Sequence, residues 1–177
     1  MKTQAKKRKW IPVVIRNQVQ ILMTYSFVGV EMVTLVIGPE TLCATVPKQI
    51  LCDKSAYFQR AFAPDFKEGQ NNEIVMPEDK PEVVDAFLSW AFGQEVSALS
   101  LWDWGRKASG RGQSNISFLE SQATKALELY FFSDRCQVIA LSQRLITAFY
   151  NYSQYDVPPS IDNFMLVCNN TPSTSGL

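Results

Sequence analysis

Four cysteines, at positions 43, 52, 136 and 168, are the side chains here best suited to nucleophilic, redox or soft-metal chemistry, and their surroundings support none of it. The chain contains no histidine. That removes Ser-His-Asp and Cys-His catalysis and every zinc site that needs an imidazole. No two cysteines form a Cys-x-x-Cys clip, so an all-cysteine zinc site would require four scattered residues to converge. Buried free thiols in a reducing compartment are the expectation. The acid pair Glu78-Asp79 directly precedes Lys80-Pro81, a helix start, and reads as a cap rather than a general acid and base. Gly105, Gly110 and Gly112 alternate with Arg106, Lys107 and Arg111 in a polar stretch with no strand before it, the wrong setting for a phosphate cradle. The sequence therefore predicts no catalytic, cofactor-binding or metal-binding residue and no enzyme.

Charge narrows the partners. Lys2, Lys6, Lys7, Arg8, Lys9 and Arg16 precede the first acid, Glu31, although the whole chain is formally neutral. Residues 17–177 hold 11 bases against 17 acids, a net of −6. Such a body lacks the basic face that direct nucleic-acid binding needs. Lys6-Lys7-Arg8-Lys9 fits a nuclear-import pattern, and fits equally a solvated basic tail. Trp10–Ile15 and Val19–Val30 are apolar runs, but each falls short of the roughly 20 residues of a membrane span. No membrane partner is expected, and the expected location is nucleus, cytoplasm or both.

The elements follow from periodicity and punctuation. Val33–Ile37 is apolar almost throughout, a strand buried on both faces. Gly38-Pro39-Glu40 turns the chain into a hairpin partner over 41–46. Pro47 suits the first turn of a short helix carrying Ile50 and Leu51 inward. Ser55 caps a second helix with Phe58, Ala61 and Phe62 on one face. Phe66-Lys67-Glu68-Gly69 reads as a turn, and Glu73–Met76 as a third strand. Asp79-Lys80-Pro81-Glu82 opens a helix with Val83, Val84, Phe87, Leu88, Ala91 and Phe92 in a stripe, stopped by Gly93. Residues 94–116, anchored by Trp102 and Trp104, read as a mobile insertion. Ser117-Phe118-Leu119-Glu120 is a capping box before a helix whose core face is Leu119, Ala123, Ala126, Leu127 and Tyr130. A further helix carries Ile139, Leu141, Leu145, Ile146 and Phe149. The result is an α+β fold dominated by helices, a small three-stranded sheet flanked by helical hairpins.

In this order, Val46-Pro47-Lys48, Leu51, Ser55, Tyr57-Phe58, Phe66-Lys67-Glu68, Trp90-Ala91-Phe92 and Leu129-Tyr130 to Leu141 resemble the BTB/POZ domain. The likeness is greatest to short single-domain, fungal-type members, including the tail phrase from Asn170-Thr171-Pro172 to Ser175-Gly176-Leu177. Charge and composition mark a basic N-terminal tail within 1–29 and a loose tail over 156–177, and the resemblance implies a dimerisation segment within 1–29 and a BTB/POZ domain over 30–155. It also implies a protein-interaction module without cofactor that homo-oligomerises and serves as an adaptor for a cullin-type ubiquitin ligase. Phe66 and Glu68 match the family's hydrophobic-x-Glu cullin contact; the alternative is that Phe66 caps the core and Glu68 turns the chain. Ile21, Leu22, Tyr25 and Phe27 lie where the family places a dimer-forming helix; alternatively they pack on their own domain. The second functional reading is a nuclear transcription-regulatory protein that binds a corepressor or transcription factor, with Lys6, Lys7, Arg8 and Lys9 directing import. Two departures bear on it. Met32 stands where the family has Asp and Pro47 where it has His, the positions of the corepressor pocket.

Overall fold

The structure is a computed structural model and describes residues 29–100, 116–153 and 161–170. The chain divides into two compact units, Met1–Val84 and Asp85–Leu177.

The first unit is built on a three-stranded sheet of order β2-β1-β3. Strand β1 (Met32–Ile37) pairs antiparallel with β2 (Leu42–Pro47) in the register Met32↔Pro47 to Ile37↔Leu42. It pairs parallel with β3 (Glu73–Met76), Leu35 lying opposite Ile74. As the central strand, β1 buries Val33, Leu35, Val36 and Ile37, which is why its sequence runs apolar instead of alternating. The hairpin turn uses left-handed backbone at Gly38 (φ +68) and Thr41 (φ +53), and the Thr41 N–H donates to the Gly38 carbonyl at 3.2 Å. Gly38 is required twice over, since a Cβ there would also sit 3.3 Å from the Asp79 carbonyl oxygen.

Helix α1 (Lys48–Lys54) and α2 (Ala56–Ala61) meet at Ser55. This single residue closes one helix and opens the next. Its N–H donates to Leu51 O at 3.0 Å, while its Oγ accepts from Phe58 N at 3.1 Å. Leu51, Phe58 and Phe62 are buried behind it, and the two phenyl rings stack at 6.3 Å. Pro47 does not enter the helix as the sequence predicted. Its ψ of 125° is extended, so it ends β2 and Lys48 begins α1. Ile50 is only half-buried.

A further helix, α3 (Lys67–Asn71), replaces the turn expected at Phe66–Gly69. Five residues carry too little periodicity to announce a helix. The helix stands because Gly69 lets it lie directly on the Phe62–Ala63 backbone. Asn72 then adopts φ +50, and its carbonyl accepts from Thr34 N at 2.8 Å, handing the chain into β3.

Helix α4 (Pro81–Ala91) crosses the division between the units. Pro81 takes the first helical position, where its missing N–H costs nothing. At the other end Gly93 (φ +79) donates to Trp90 O and Gln94 to Ser89 O, each at 2.9 Å, the doubly bonded glycine stop expected there.

In the second unit the core lies between α5 (Ile116–Arg135) and α6 (Ile139–Tyr152), an antiparallel hairpin. The turn Cys136–Val138 repeats the stop of α4 with Gln137 in the left-handed position (φ +53). Val138 N donates to Ser133 O at 2.7 Å and Gln137 N to Asp134 O at 2.9 Å. Ser133, fully buried, lies 2.8 Å from the Ser142 hydroxyl, linking the helices. Leu119, Ala126, Leu129, Phe132, Leu141 and Leu145 pack the interior, and Phe87 of α4 meets Phe132 at 5.3 Å.

Several expectations are corrected here. Ser117 lies inside α5 instead of capping it. Leu127 and Tyr130 are half-buried, and Ile139 and Ile146 are exposed, so the buried stripe of α6 is narrower than its apolar one. The insertion read over 94–116 begins with a 3₁₀ turn at Ser97–Ser100, and Val96 and Ala98 are buried. Residues 101–115, with Trp102 and Trp104, lie outside the described residues. The loose tail read over 156–177 contains a ten-residue helix, α7 (Ile161–Asn170). It packs on α5 where buried Asn163 Oδ1 lies 2.7 Å from the Thr124 hydroxyl.

Candidate protein-binding surfaces

Phe66 is the N-terminal flanking residue of α3, with extended backbone. Its N–H donates to Ala63 O and its carbonyl accepts from Gln70 N, each at 3.0 Å. Gln70 Nε2 also donates to Pro64 O at 3.2 Å. The backbone is therefore tied on both sides while the ring is 54% exposed. Phe66 thus does not cap the core. Glu68, half-buried, stands in the first turn of α3, where a carboxylate is favoured by the helix dipole. The pair presents an aromatic ring beside an acid on a short, pinned helix. Nothing in that arrangement can carry covalent chemistry; exposed aromatic side chains are the kind enriched at protein interfaces.

A second constellation closes the end of the hairpin. Met32 and Pro47 are cross-strand partners, Met32 37% exposed and Pro47 buried. Two positions separated in sequence thus share one spot, and neither side chain brings a charge or a hydrogen-bonding group. Next to them Lys48 Nζ bonds Glu31 Oε1 at 3.0 Å and lies 5.9 Å from the centre of the Phe62 ring. The Lys48 hydrogen bond holds the Glu31 carboxyl below its ordinary value.

The cysteines are free thiols. Cys43 and Cys136 are buried as expected, but Cys168, on α7, is exposed. Cys52 is half-buried, its Sγ lies 3.9 Å from Phe58 O, and burial pushes its thiol up, away from the reactive thiolate. Among the described residues no group of three or more Cys, Asp or Glu side chains could hold a metal ion. No described helix is long and apolar enough to cross a membrane. Lys6, Lys7, Arg8 and Lys9, and the proposed dimer residues Ile21, Leu22, Tyr25 and Phe27, lie outside the described residues.

Sequence reasoning did not anticipate several exposed apolar residues in the second unit. Ile139, Ile146 and Tyr150 on α6 and Met165 and Val167 on α7 are all exposed large hydrophobic residues. The signal was present in the width of the α6 stripe, which exceeds what one neighbouring helix can cover.

The BTB/POZ domain model matches residues 33–141, more than half of the chain, from β1 into α6. The chain belongs to the BTB/POZ family. No curated protein matches its sequence. The BTB/POZ assignment agrees with the observed α+β, helix-dominated architecture and its three-stranded sheet. It makes this a protein–protein interaction module, a class of domain not known for catalysis. The match ends at Leu141, so most of α6 and all of α7 extend beyond it.

Proposed function

We propose that this BTB/POZ protein is an adaptor that associates with itself and docks on a cullin-type ubiquitin-ligase scaffold through Phe66 and Glu68. The observation that carries the reading is the 54% exposure of Phe66 on a backbone pinned from both sides. A side chain held out at fixed geometry loses little further freedom on binding. The competing reading, a nuclear regulator that recruits a corepressor through the hairpin-end pocket, is weakened by the Met32–Pro47 pair, which offers no polar group there. Calorimetric titration with a cullin N-terminal domain tests the proposal. Binding that falls by about 2 kcal/mol in Phe66→Ala is expected of a central anchor. A chain that binds no cullin, or binds it unchanged after Phe66→Ala, removes the reading. Light scattering on the same samples reports self-association.

A further inference from the structure

Three of the exposed apolar residues of α6 and α7 share a concave surface. Ile146, Tyr150 and Val167 border a groove of about 620 Å³ between α5, α6 and α7, wholly within the unit Asp85–Leu177. Tyr130 and Phe131 form one wall, Ile146, Phe149 and Tyr150 another, and Val167 closes a side. Tyr150 is 68% and Ile146 52% exposed, so the groove is open along the α6 stripe. On the α6 side the lining runs from Ile146 to the capping Ser153, about 10 Å, two turns of a helix laid beside it.

The electrostatics are one-sided. Among the described residues Asp134 is the only charged one lining the groove, and its carboxylate has no ion pair among them. It sits in the last turn of α5, and Asn170, the last residue of α7, lines the same groove, so two helix C-termini add their negative partial charge. Neither α6 nor α7 carries a base in its last turn. The base that ends α5, Arg135, lies over the Phe132 ring at 5.7 Å and does not line the groove. Aromatic walls with an uncompensated anionic end favour a cation. A purely apolar ligand would leave Asp134 unanswered, and an anionic one would be repelled.

We propose that this groove docks a short amphipathic helix of another protein, its apolar side chains at i, i+3/i+4 and i+7 filling the aromatic walls and a Lys or Arg meeting Asp134. The surface shares no residue with the Phe66–Glu68 site, so it stands or falls independently of cullin binding. A fluorescein-labelled Leu/Lys amphipathic peptide of about 12 residues, long enough to span the groove, is titrated by anisotropy into the full chain. A Leu/Glu counterpart and a sequence-scrambled Leu/Lys peptide run alongside. The Leu/Lys helix is expected to bind at least about tenfold more tightly than either control. Asp134→Lys should reverse the preference between Lys and Glu peptides, Ile146→Glu should abolish binding, and Phe66→Ala should change nothing. Circular dichroism confirms that each variant is folded. Equal binding of the scrambled peptide means general attraction to an acidic body and overturns the proposal. So does binding untouched by Ile146→Glu. A dimer that Ile146→Glu converts to monomer by light scattering also overturns it, because the occupant is then a second copy.

Discussion

Gly69→Ala should destabilise this protein although it replaces a helical glycine with the best helix former. On propensity alone the change gains up to about 1 kcal/mol. The geometry opposes it. A Cβ on Gly69 would fall 2.8 Å from the carbonyl carbons of Phe62 and Ala63, and closer still to the Ala63 oxygen. These are backbone atoms of a segment bonded to Phe66 and Gln70, so no flexible side-chain end can swing aside. Overpacking of this kind costs about 1–3 kcal/mol, and rigid backbone places it at the upper end. The net loss is about 2 kcal/mol, which lowers the melting temperature by roughly 4–8 °C for a chain of this size. Gly93→Ala is the matched control. It meets no atom within 4 Å, but its φ of +79 disfavours any Cβ, so it should cost only about 1 kcal/mol. Thermal and urea unfolding by circular dichroism measure both. The cheapest relief for Gly69→Ala is for α3 to lift from Ala63, which displaces Phe66 and Glu68, so any cullin binding through that pair should weaken with stability. A Gly69→Ala variant as stable as the wild type would refute the close packing of α3 and with it the pinned presentation of Phe66.

Three further outcomes are expected. Ser55→Ala removes the cap of α2 and leaves the buried Phe58 N–H without its acceptor, so it should cost about 2 kcal/mol in urea unfolding, whereas Ser55→Asp or Ser55→Thr should recover part of it. In native protein a thiol reagent should label Cys168 first and Cys52 slowly, with Cys43 and Cys136 reacting only on unfolding; rapid labelling of all four would contradict the packing of β2 and of the α5–α6 turn. Because Lys48 lowers the Glu31 pKa on folding, the pair's contribution is present above the ordinary carboxylate value of about 4 and is lost as pH falls through the lowered folded value. The small stability gap between wild type and Glu31→Gln should therefore be constant near neutrality and close on acidification; a gap that widened in acid would reverse the assignment.

Local chemistry was readable wherever a hydrogen bond closes within a few residues. Ser55 capping α2, Pro81 at the head of α4 and Gly93 at its end each depend on groups no more than five positions away, and each stands as the sequence predicts. The strands were readable because β1, covered on both sides, leaves a continuous apolar run. Gln137 escaped notice because glutamine in a left-handed stop carries no compositional mark, unlike Gly93. Of the candidate site, Phe66 and Glu68 could be named from their motif, but the helix that presents them could not. Its stability comes from Gly69 meeting the backbone of Ala63, a contact five residues of sequence do not reveal.

The sequence by itself determined the family and hence a module for binding proteins, because the order of strand, hairpin, paired helices and aromatic core is written in local signals. The tertiary structure decided which apolar residues are spent on the core and which remain for partners. Periodicity reports that Leu141, Leu145, Ile146 and Phe149 share the apolar side of a helix. Only the placement of α5 and α7 shows that Leu141 and Leu145 are covered while Ile146 is left facing a groove. Burial is a property of two surfaces meeting, and a single strip of sequence describes one of them.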